Sequence, residues 1–335
     1  MAVTLSKIYE TTTAGDLPNA AATTWTQGIN APSGPVEYFI IRADLDYTGV
    51  AVPYTSDFGQ LISSLRIVLN GEVLFDFRSS FNQNTGVLMS RFNYLLNNIG
   101  GRCYEVPSTG SGSVKEAYIA IPLGKTTSGT VDRYEVIMNW AAAATTPASG
   151  KLEYWLQYND SFAKQTYVVP STSFTHANAI EQVTVRVPQA ITGVVSALYV
   201  QNDTAADELG TNGIRVNGLS AFGIETQMYR WLNGDLANRN KSAVGATGAG
   251  QDPNNIALGT SQQIFNLGPT GGLLIPLFGM AGGDIVLQVD STAATTRTYT
   301  PIITSPVGTR ERQEVRQTQM APSNTANSII RDTLD

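Results

Sequence analysis

A chain of 335 residues with a net charge of −6 and 14% charged side chains is long enough for two ordinary domains. Its acidic field repels nucleic acid, so we expect no direct nucleic-acid binding. A single cysteine and a single histidine exclude an intramolecular disulfide, a cysteine- or histidine-rich metal site and the usual catalytic triads. We therefore predict that the protein is not an enzyme and has no catalytic, metal or cofactor-binding residues.

The N-terminal segment begins MAVTLSKIYETTTAGD and has no basic region followed by an apolar run, so we expect no secretory signal. No later stretch reaches the roughly 18–20 apolar residues of a membrane helix. Because Met1–Asn30 is polar and poor in apolar residues, it is predicted to be an arm that is ordered only where a neighbouring molecule holds it.

Beyond this segment, the sequence contains pairs of similar strings in the same order. EYFIIR (Glu37–Arg42) is answered by EQVTVR (Glu181–Arg186). LRIVLNGEVLFDF (Leu65–Phe77) is then answered by GIRVNGLSAFGI (Gly213–Ile224). Both matches are about 145 residues apart, which predicts a duplicated domain rather than a solenoid of short repeats.

Each half also contains an Asn-Gly pair between strand-like runs, Asn70–Gly71 and Asn217–Gly218, which predicts a two-residue hairpin turn. After each turn the apolar spacing changes to a helical period, which predicts short helices at Met89–Ile99 and Ile224–Leu232. Gly100 is expected to end the first of these helices.

The matches continue towards the C-terminus of each half and predict further equivalent strands. The paired strings are AYIAIPLGK (Ala117–Lys125) with GLLIPLFGM (Gly272–Met280), YEVIMNW (Tyr134–Trp140) with DIVLQVD (Asp284–Asp290), and KLEYWLQY (Lys151–Tyr158) with TRTYTPII (Thr296–Ile303). A wider offset in the first of these pairs predicts an insertion in the second half. The Gly-, Ala- and Asn-rich segment Asn238–Asn255 is the candidate for it.

Alternation of apolar and polar residues, as in Phe39 and Ile41 against Ile40 and Arg42, is typical of strands with one face in a core. The predicted fold class is therefore all-β, with two similar antiparallel sandwiches in tandem. The predicted organisation is an N-terminal arm over 1–33, a first domain over 34–171, a second over 172–307 and a C-terminal arm over 308–335.

With its tandem β-domains, the repeated Asn-Gly hairpin followed by a helix, and its acidic, cysteine-poor chain, the sequence resembles a known family. This family comprises the double jelly-roll major capsid proteins of tailless icosahedral viruses with an internal membrane. Within it, the chain looks most like the compact capsid proteins of lipid-containing phages of Flavobacterium-type hosts.

The resemblance implies an eight-stranded jelly roll in each half and a homotrimer that forms a pseudo-hexagonal tile. It further implies neighbouring capsid trimers and penton or vertex proteins as partners, and contact of the terminal arms with the viral membrane. The expected location is the virion capsid, after synthesis in the host cytoplasm. A duplicated chain suits this role because three subunits can then imitate six-fold contacts.

Several residues have both a functional and a purely structural interpretation. His176 in the inter-domain linker is either a pH-sensitive contact or, as we prefer, a solvated or hydrogen-bonded residue. Cys103 is either a reactive thiol or, as we prefer, a small buried side chain.

The carboxylates of Glu153 and Asp160 could form the catalytic pair of a glycosidase, although an acidic chain offers many such pairs. Trp140, Trp155 and Tyr158 could stack on a sugar, but aromatic residues in strands more often belong to a core or an interface.

Two further segments have features of functional motifs. GATGAGQDPNN (Gly245–Asn255) lacks the Gly-Lys-Ser/Thr ending of a phosphate-binding loop. TRERQEVRQTQ (Thr309–Gln319) is either a solvated arm or a tether to a neighbouring subunit or to lipid headgroups.

The sequence thus predicts a structural major capsid protein. The alternatives are a phage spike or carbohydrate-binding β-sandwich protein and, below these, a β-sandwich glycosidase.

Overall fold

A computed structural model of the chain describes residues 3–306 with gaps at 12–16, 18–23, 47–57, 80–90, 107–113, 141–148, 163, 188–192, 203–208, 217–271 and 282. These residues form seventeen strands, one α-helix and a turn of 3-10 helix at Phe58–Leu61. The chain is therefore built from strands, as its composition predicts.

The first half contains nine strands and the helix α1, Arg91–Asn98. The strands are β1 Thr4–Glu10, β2 Trp25–Pro32, β3 Pro35–Asp46, β4 Ile62–Leu69, β5 Glu72–Arg78, β6 Arg102–Val106, β7 Val114–Thr126, β8 Val131–Trp140 and β9 Ser149–Tyr158.

Antiparallel pairs in the first half are nested inside one another. β1 pairs with β9, β2 with β8, β3 with β7 and β4 with β5. The resulting sheets have the orders β1-β9-β3-β7-β6 and β2-β8-β4-β5. Such nesting, in which a long hairpin is rolled into two facing sheets, is the topology of a jelly roll.

The second half repeats this nesting. Its strands are β10 Lys164–Val168, β11 Thr172–His176, β12 Ile180–Val185, β13 Val194–Asn202, β14 Leu209–Val216, β15 Gly272–Ala281, β16 Ile285–Ser291 and β17 Thr295–Pro306. β10 and β11 pair with successive parts of β17, while β12 pairs with β16 and β13 with β15. The predicted pair of tandem jelly rolls is confirmed.

The turn between β4 and β5 has the conformation that its sequence predicts. Asn70 and Gly71 both have positive φ, 51° and 88°. Two successive positive φ angles define the hairpin turn that Asn-Gly favours. The second such pair, Asn217–Gly218, lies outside the described residues, but it directly follows β14, the strand equivalent to β4.

One sequence match is wrong. EYFIIR lies in β3, whereas most of EQVTVR forms β12, which pairs with β16 as β2 pairs with β8. The strand equivalent to β3 is β13, because β3 lies between β9 and β7 and β13 lies between β17 and β15. Alternating strands of a sandwich share one pattern, so a six-residue likeness does not identify topological position.

A shared irregularity supports the equivalence of β3 and β13. The ladder of β3 shifts by one residue between Val36 and Tyr38, and that of β13 shifts between Val195 and Ala197. An extra residue in one strand of a pair is a β-bulge.

The prolines of the two Ile-Pro-Leu strings lie beside these bulges. Pro122 of β7 pairs with Tyr38, and Pro276 of β15 pairs with Ala197. This predicted match is therefore confirmed, and the two later matches fall on the equivalent pairs β8 with β16 and β9 with β17.

The N-terminal segment differs from the predicted arm. β1 and β2 are the first two strands of the first jelly roll and pair along their length with β9 and β8. Ile29 and Ala31 of β2 are buried in the core. A strand with one face on a core needs only every second residue to be apolar. The low apolar content of the N-terminal segment therefore does not distinguish an arm from two strands. β10 also precedes the predicted boundary between residues 171 and 172, although it pairs with β17 of the second jelly roll. The boundary between residues 307 and 308 stays a prediction.

The helix α1 follows the first hairpin, as predicted, and Gly100 with φ of 92° ends it. Phe92, Leu95 and Leu96 are fully buried, and the Phe92 ring makes edge-to-face contacts with Phe75 and Phe77. The predicted second helix, Ile224–Leu232, lies outside the described residues, as does Leu88.

Candidate functional surfaces

The two jelly rolls meet along an interface made by strands and by α1. β10 pairs with β17 over five residues and touches β5 through one parallel pair, Val168 with Phe75. The two halves therefore share one nine-stranded sheet, in which eight strands have the order β15-β13-β17-β10-β5-β4-β8-β2 and β11 pairs with β17 off this path.

Side chains strengthen this junction between the halves. The Tyr199 hydroxyl of β13 donates a hydrogen bond to the Arg91 carbonyl of α1 at 3.1 Å, and the rings of Tyr94 and Tyr199 are 6.0 Å apart. The Gln201 amide of β13 donates to the Arg78 carbonyl of β5 at 3.1 Å. Because these contacts are buried and directional, they fix one half against the other.

A polar groove of about 620 Å³ is lined by residues of both halves. Most of its lining side chains are short hydroxyls: Thr24, Ser63, Ser64, Ser79, Ser171, Ser173, Thr296 and Thr298. Ser173 and Thr298 hydrogen-bond to each other across β11 and β17 at 2.9 Å, and Thr296 hydrogen-bonds to the neighbouring Thr175 at 3.2 Å.

The charged groups of the groove are also paired. The Asp76 carboxylate is 1% exposed and accepts hydrogen bonds from Arg66 at 2.7 Å and from Arg78 at 3.3 Å. Two guanidinium groups therefore satisfy this buried carboxylate by direct hydrogen bonds. The groove thus presents hydroxyl groups and paired charges.

A second ionic cluster lies on the outward face of the five-stranded sheet, at its centre. Arg42 of β3 donates to Glu116 of β7 at 2.7 Å and to Glu153 of β9 at 3.1 Å. The Tyr118 hydroxyl also donates to Glu116, and this bond, with that from Arg42, lowers the pKa of the Glu116 carboxyl. The indole of Trp155 donates to Glu153 at 3.0 Å.

At the edge of this sheet, the ammonium groups of Lys7 and Lys151 flank Glu10 at 2.5 Å and 3.0 Å. Their hydrogen bonds lower the pKa of the Glu10 carboxyl to about 2. The outward face thus consists of paired charges set among the aromatic side chains Tyr38, Tyr118 and Trp155.

His176 is hydrogen-bonded, as predicted, but it is not solvated. It is 1% exposed, at the end of β11. Its Nδ1 lies 3.1 Å from Glu181 Oε2, and its Nε2 lies 2.9 Å from the Tyr299 hydroxyl. Burial lowers the pKa of His176, and the nearby charge of Arg297 adds to this effect.

Cys103 is 8% exposed on β6, which agrees with the interpretation as a small buried side chain. The structure does not place Glu153 and Asp160 as a pair. Glu153 is buried within the ionic cluster, whereas Asp160 is exposed in the turn beyond β9. β9 runs extended from Glu153 to Tyr158, roughly 16 Å, before the turn that carries Asp160, so the two side chains do not face each other as a glycosidase pair must.

The three aromatic candidates have different surroundings. Trp140 is buried in the core, Trp155 is half-buried on the outward face, and the Tyr158 hydroxyl donates to the Pro32 carbonyl at 2.7 Å. They do not form one sugar-stacking platform. The segments Gly245–Asn255 and Thr309–Gln319 lie outside the described residues.

Sequence reasoning missed the ion pairs and one buried arginine. Arg42 and Glu116 do not share any motif, and only strand pairing brings them together. The fully buried Arg297, which hydrogen-bonds Ser291 and Tyr299, was not singled out either. An arginine in the otherwise apolar and hydroxyl-rich string TRTYTPII was the available signal.

Among the described residues, there is no cluster of three or more His, Cys, Asp or Glu side chains that could hold a metal ion. Within the same part of the chain, no helix is long and apolar enough to cross a membrane.

No protein-family model matches the sequence, and no curated protein matches it. Solved structures do match at the level of fold. The crystal structure of the STIV major capsid protein has a TM-score of 0.55 at 10% identity and covers 93% of this chain and 99% of its own. A chain in the atomic structure of Sulfolobus turreted icosahedral virus has a TM-score of 0.52 at 8% identity, covering 91% of each chain.

The major capsid protein P2 of bacteriophage PM2 has a TM-score of 0.49 at 11% identity and covers 92% of this chain and 99% of its own. The finer likeness to phages of Flavobacterium-type hosts stays a prediction. With its two nested sets of strands, the chain has the double jelly-roll fold seen in the matching viral capsid protein structures.

Proposed function

We propose that this protein is a structural major capsid protein. The observation that carries the proposal is the fold over the whole described chain: two jelly rolls fixed against each other in one polypeptide, as in the STIV major capsid protein. The paired state of the charged groups in the groove and on the outward face supports a surface for assembly rather than for chemistry.

The proposed assembly is a homotrimer. Three copies of a chain with two similar domains present six jelly rolls around one axis, and such a tile can pack in a hexagonal array. The fixed junction between the halves supports this, because a tile needs its two domains held at a constant angle. The trimer contacts neighbouring trimers and, at the vertices, penton proteins.

We further propose that the shell encloses an internal membrane and that the C-terminal segment 308–335 contacts its surface or a neighbouring subunit. Thr309–Gln319 carries three arginines against two glutamates, and this small excess of positive charge supports contact with anionic headgroups. The protein acts in the virion capsid after synthesis in the host cytoplasm, and it does not bind nucleic acid directly.

The test is electron microscopy of the purified full-length chain together with quantification of its source particles. The proposal predicts hexagonal tiles of trimers and a chain that is the most abundant protein of the particle. A chain present in only a few copies per particle would instead support a spike or a carbohydrate-binding protein and would overturn the capsid role.

A further inference from the structure

The polar groove lined by both halves contains the guanidinium groups of Arg66 and Arg78. Strand pairing brings them together, because Arg66 of β4 pairs with Asp76 of β5 and Arg78 follows two residues later on β5. The second half completes the lining with the hydroxyls of Ser171, Ser173, Thr296 and Thr298. Ligand sites occur preferentially in such clefts between domains.

The groove has an excess of positive charge. Its lining contains two guanidinium groups and one carboxylate, in a chain whose net charge is −6. Asp76 accepts hydrogen bonds from Nε and Nη2 of Arg66 at 3.2 Å and 2.7 Å and from Nε of Arg78 at 3.3 Å. Within the described part of the chain, Arg66 Nη1 and both Nη atoms of Arg78 have no acceptor. Asp76 thus orients two guanidinium groups whose remaining N–H groups can donate to an anion.

The rest of the lining matches a ligand with several hydroxyl groups. Eight of the thirteen lining residues carry a hydroxyl, and Asn139 adds an amide. Each hydroxyl can both donate and accept a hydrogen bond, as the hydroxyls of a sugar do. The volume of about 620 Å³ is in the range of small-molecule sites.

We propose that this groove binds an acidic sugar. The carboxylate of the sugar lies against Arg66 and Arg78, and its hydroxyls bond to serine and threonine side chains of both halves. A planar carboxylate matches the paired N–H donors of a guanidinium group. The inference goes beyond the capsid role and does not depend on it.

The lining distinguishes this ligand from others of similar chemistry. Among the described residues that line the groove, no side chain is aromatic, so a neutral sugar has no ring to stack on. A single-stranded nucleic acid also needs aromatic side chains and more positive charge than one excess guanidinium group supplies. A free phosphate ion would bond to the guanidinium groups but would leave most of the hydroxyls unused.

The test is a titration of the full-length chain with D-glucuronate and N-acetylneuraminate, followed by saturation-transfer NMR at fixed ionic strength. We expect at least one of these acids to bind. D-glucose should bind at least about tenfold more weakly, because it lacks the hydrogen bonds between charged groups. Inorganic phosphate should displace the bound acid only at a concentration at least about tenfold higher than that of the acid. Binding of neither acid, or equal binding of glucose or phosphate, overturns the proposed ligand class.

The variant Arg78→Gln tests the location of the site. The Arg78 side chain is 58% exposed at the end of β5, so its replacement leaves the core intact. We expect the bound acid to dissociate at a concentration at least about tenfold higher than from the wild type. The matched control is Arg102→Gln, which removes the same charge at an exposed position on β6 and should bind like the wild type.

A second variant, Thr298→Val, removes one hydroxyl of the second half and keeps the shape of the side chain. It should weaken binding about threefold or more, and it decides the matter if Arg78→Gln fails to fold. Unchanged binding in either variant, or an equal loss in Arg102→Gln, overturns the groove as the site of the acidic sugar.

Discussion

The central strands β3 and β13 occupy the same position in their jelly rolls but carry different outward side chains. β3 presents Arg42 in an ion cluster with Glu116 and Glu153, whereas β13 presents the neutral Gln201. The outward face of β13 is buried as soon as the chain folds, while that of β3 stays partly exposed in a single chain. The difference shows that a duplicated fold does not require duplicated surfaces.

The difference in burial explains why the face of β3 carries charged side chains and the face of β13 carries neutral ones. A face that spends time in water before assembly can carry charged groups, provided that they are paired when it is later covered. A face that is permanently buried within the chain gains more from neutral side chains such as Tyr199, because they avoid the cost of removing charge from water. The predictions that follow challenge this comparison, beginning with the largest expected effect.

Deleting residues 1–33 should abolish cooperative folding of the first jelly roll, because it removes β1 and β2 and uncovers the core beneath Ile29 and Ala31. The expected loss is roughly 5 kcal/mol or more, a large part of the stability of a domain. Circular dichroism melts measure it, with deletion of 308–335 as the control. A melting curve like that of the full chain would show that residues 1–33 are an arm and do not stabilise the first jelly roll.

Phe92→Ala should lower the free energy of unfolding by about 3–5 kcal/mol, because the ring is fully buried against Phe75 and Phe77. Urea denaturation at one fixed chain concentration provides the measurement. Val131→Ala, at an exposed position, should change it by less than about 0.5 kcal/mol. Equal small effects in both variants would mean that α1 does not pack on the core of the first half.

Tyr199→Ala and Ile40→Ala test the two faces at equivalent positions. Tyr199→Ala should cost about 3 kcal/mol or more and Ile40→Ala about 1 kcal/mol, because Tyr199 is fully buried within the chain and Ile40 is partly exposed. Urea denaturation distinguishes them. Equal costs would contradict the difference in burial.

Glu153→Ala should cost about 1–3 kcal/mol, since it removes the acceptor of Trp155 and one of the two main carboxylate partners of Arg42. Asp160→Ala, seven residues away and exposed, should cost less than about 0.5 kcal/mol. Thermal melts of the two variants check the difference, and similar values would show that the cluster does not contribute to stability.

The smallest expected effect is at His176, whose protonation should make the free energy of unfolding depend on pH. Its folded pKa lies below the unfolded value of about 6.5, so the unfolded chain binds the proton first as pH falls. The free energy of unfolding should therefore decrease as pH falls through about 6.5 towards the folded pKa. Glu181, Tyr299 and Arg297 face the imidazole, and of these Arg297 opposes the added charge.

Urea denaturation between pH 5.5 and 7.5 measures this dependence for the wild type and for His176→Gln. Because the chain contains one histidine, the variant should show a flatter profile over this range. An identical slope in both proteins would assign the dependence to other groups.

The sequence predicted those parts of the fold that local patterns determine. Asn70–Gly71 predicted its turn because two adjacent residues alone set the backbone geometry, and the Ile-Pro-Leu strings predicted equivalent strands beside a bulge. The hexapeptide likeness failed because alternation records which face is buried but not which strand pairs with which.

The surfaces could not be predicted from sequence for a related reason. Arg42, Glu116 and Glu153 are far apart in the chain, and only the order of β9, β3 and β7 brings them together. His176 was placed in a solvated linker because sequence does not show that Tyr299 and Arg297 return to cover it.

A three-dimensional reconstruction of the purified full-length chain by cryo-electron microscopy tests the central claim most directly. The account predicts three chains around an axis, each with its two jelly rolls held against each other through β10, β5 and α1 as in the single chain. A monodisperse single chain at micromolar concentration, or a trimer in which the two jelly rolls of a chain are separated, would contradict it.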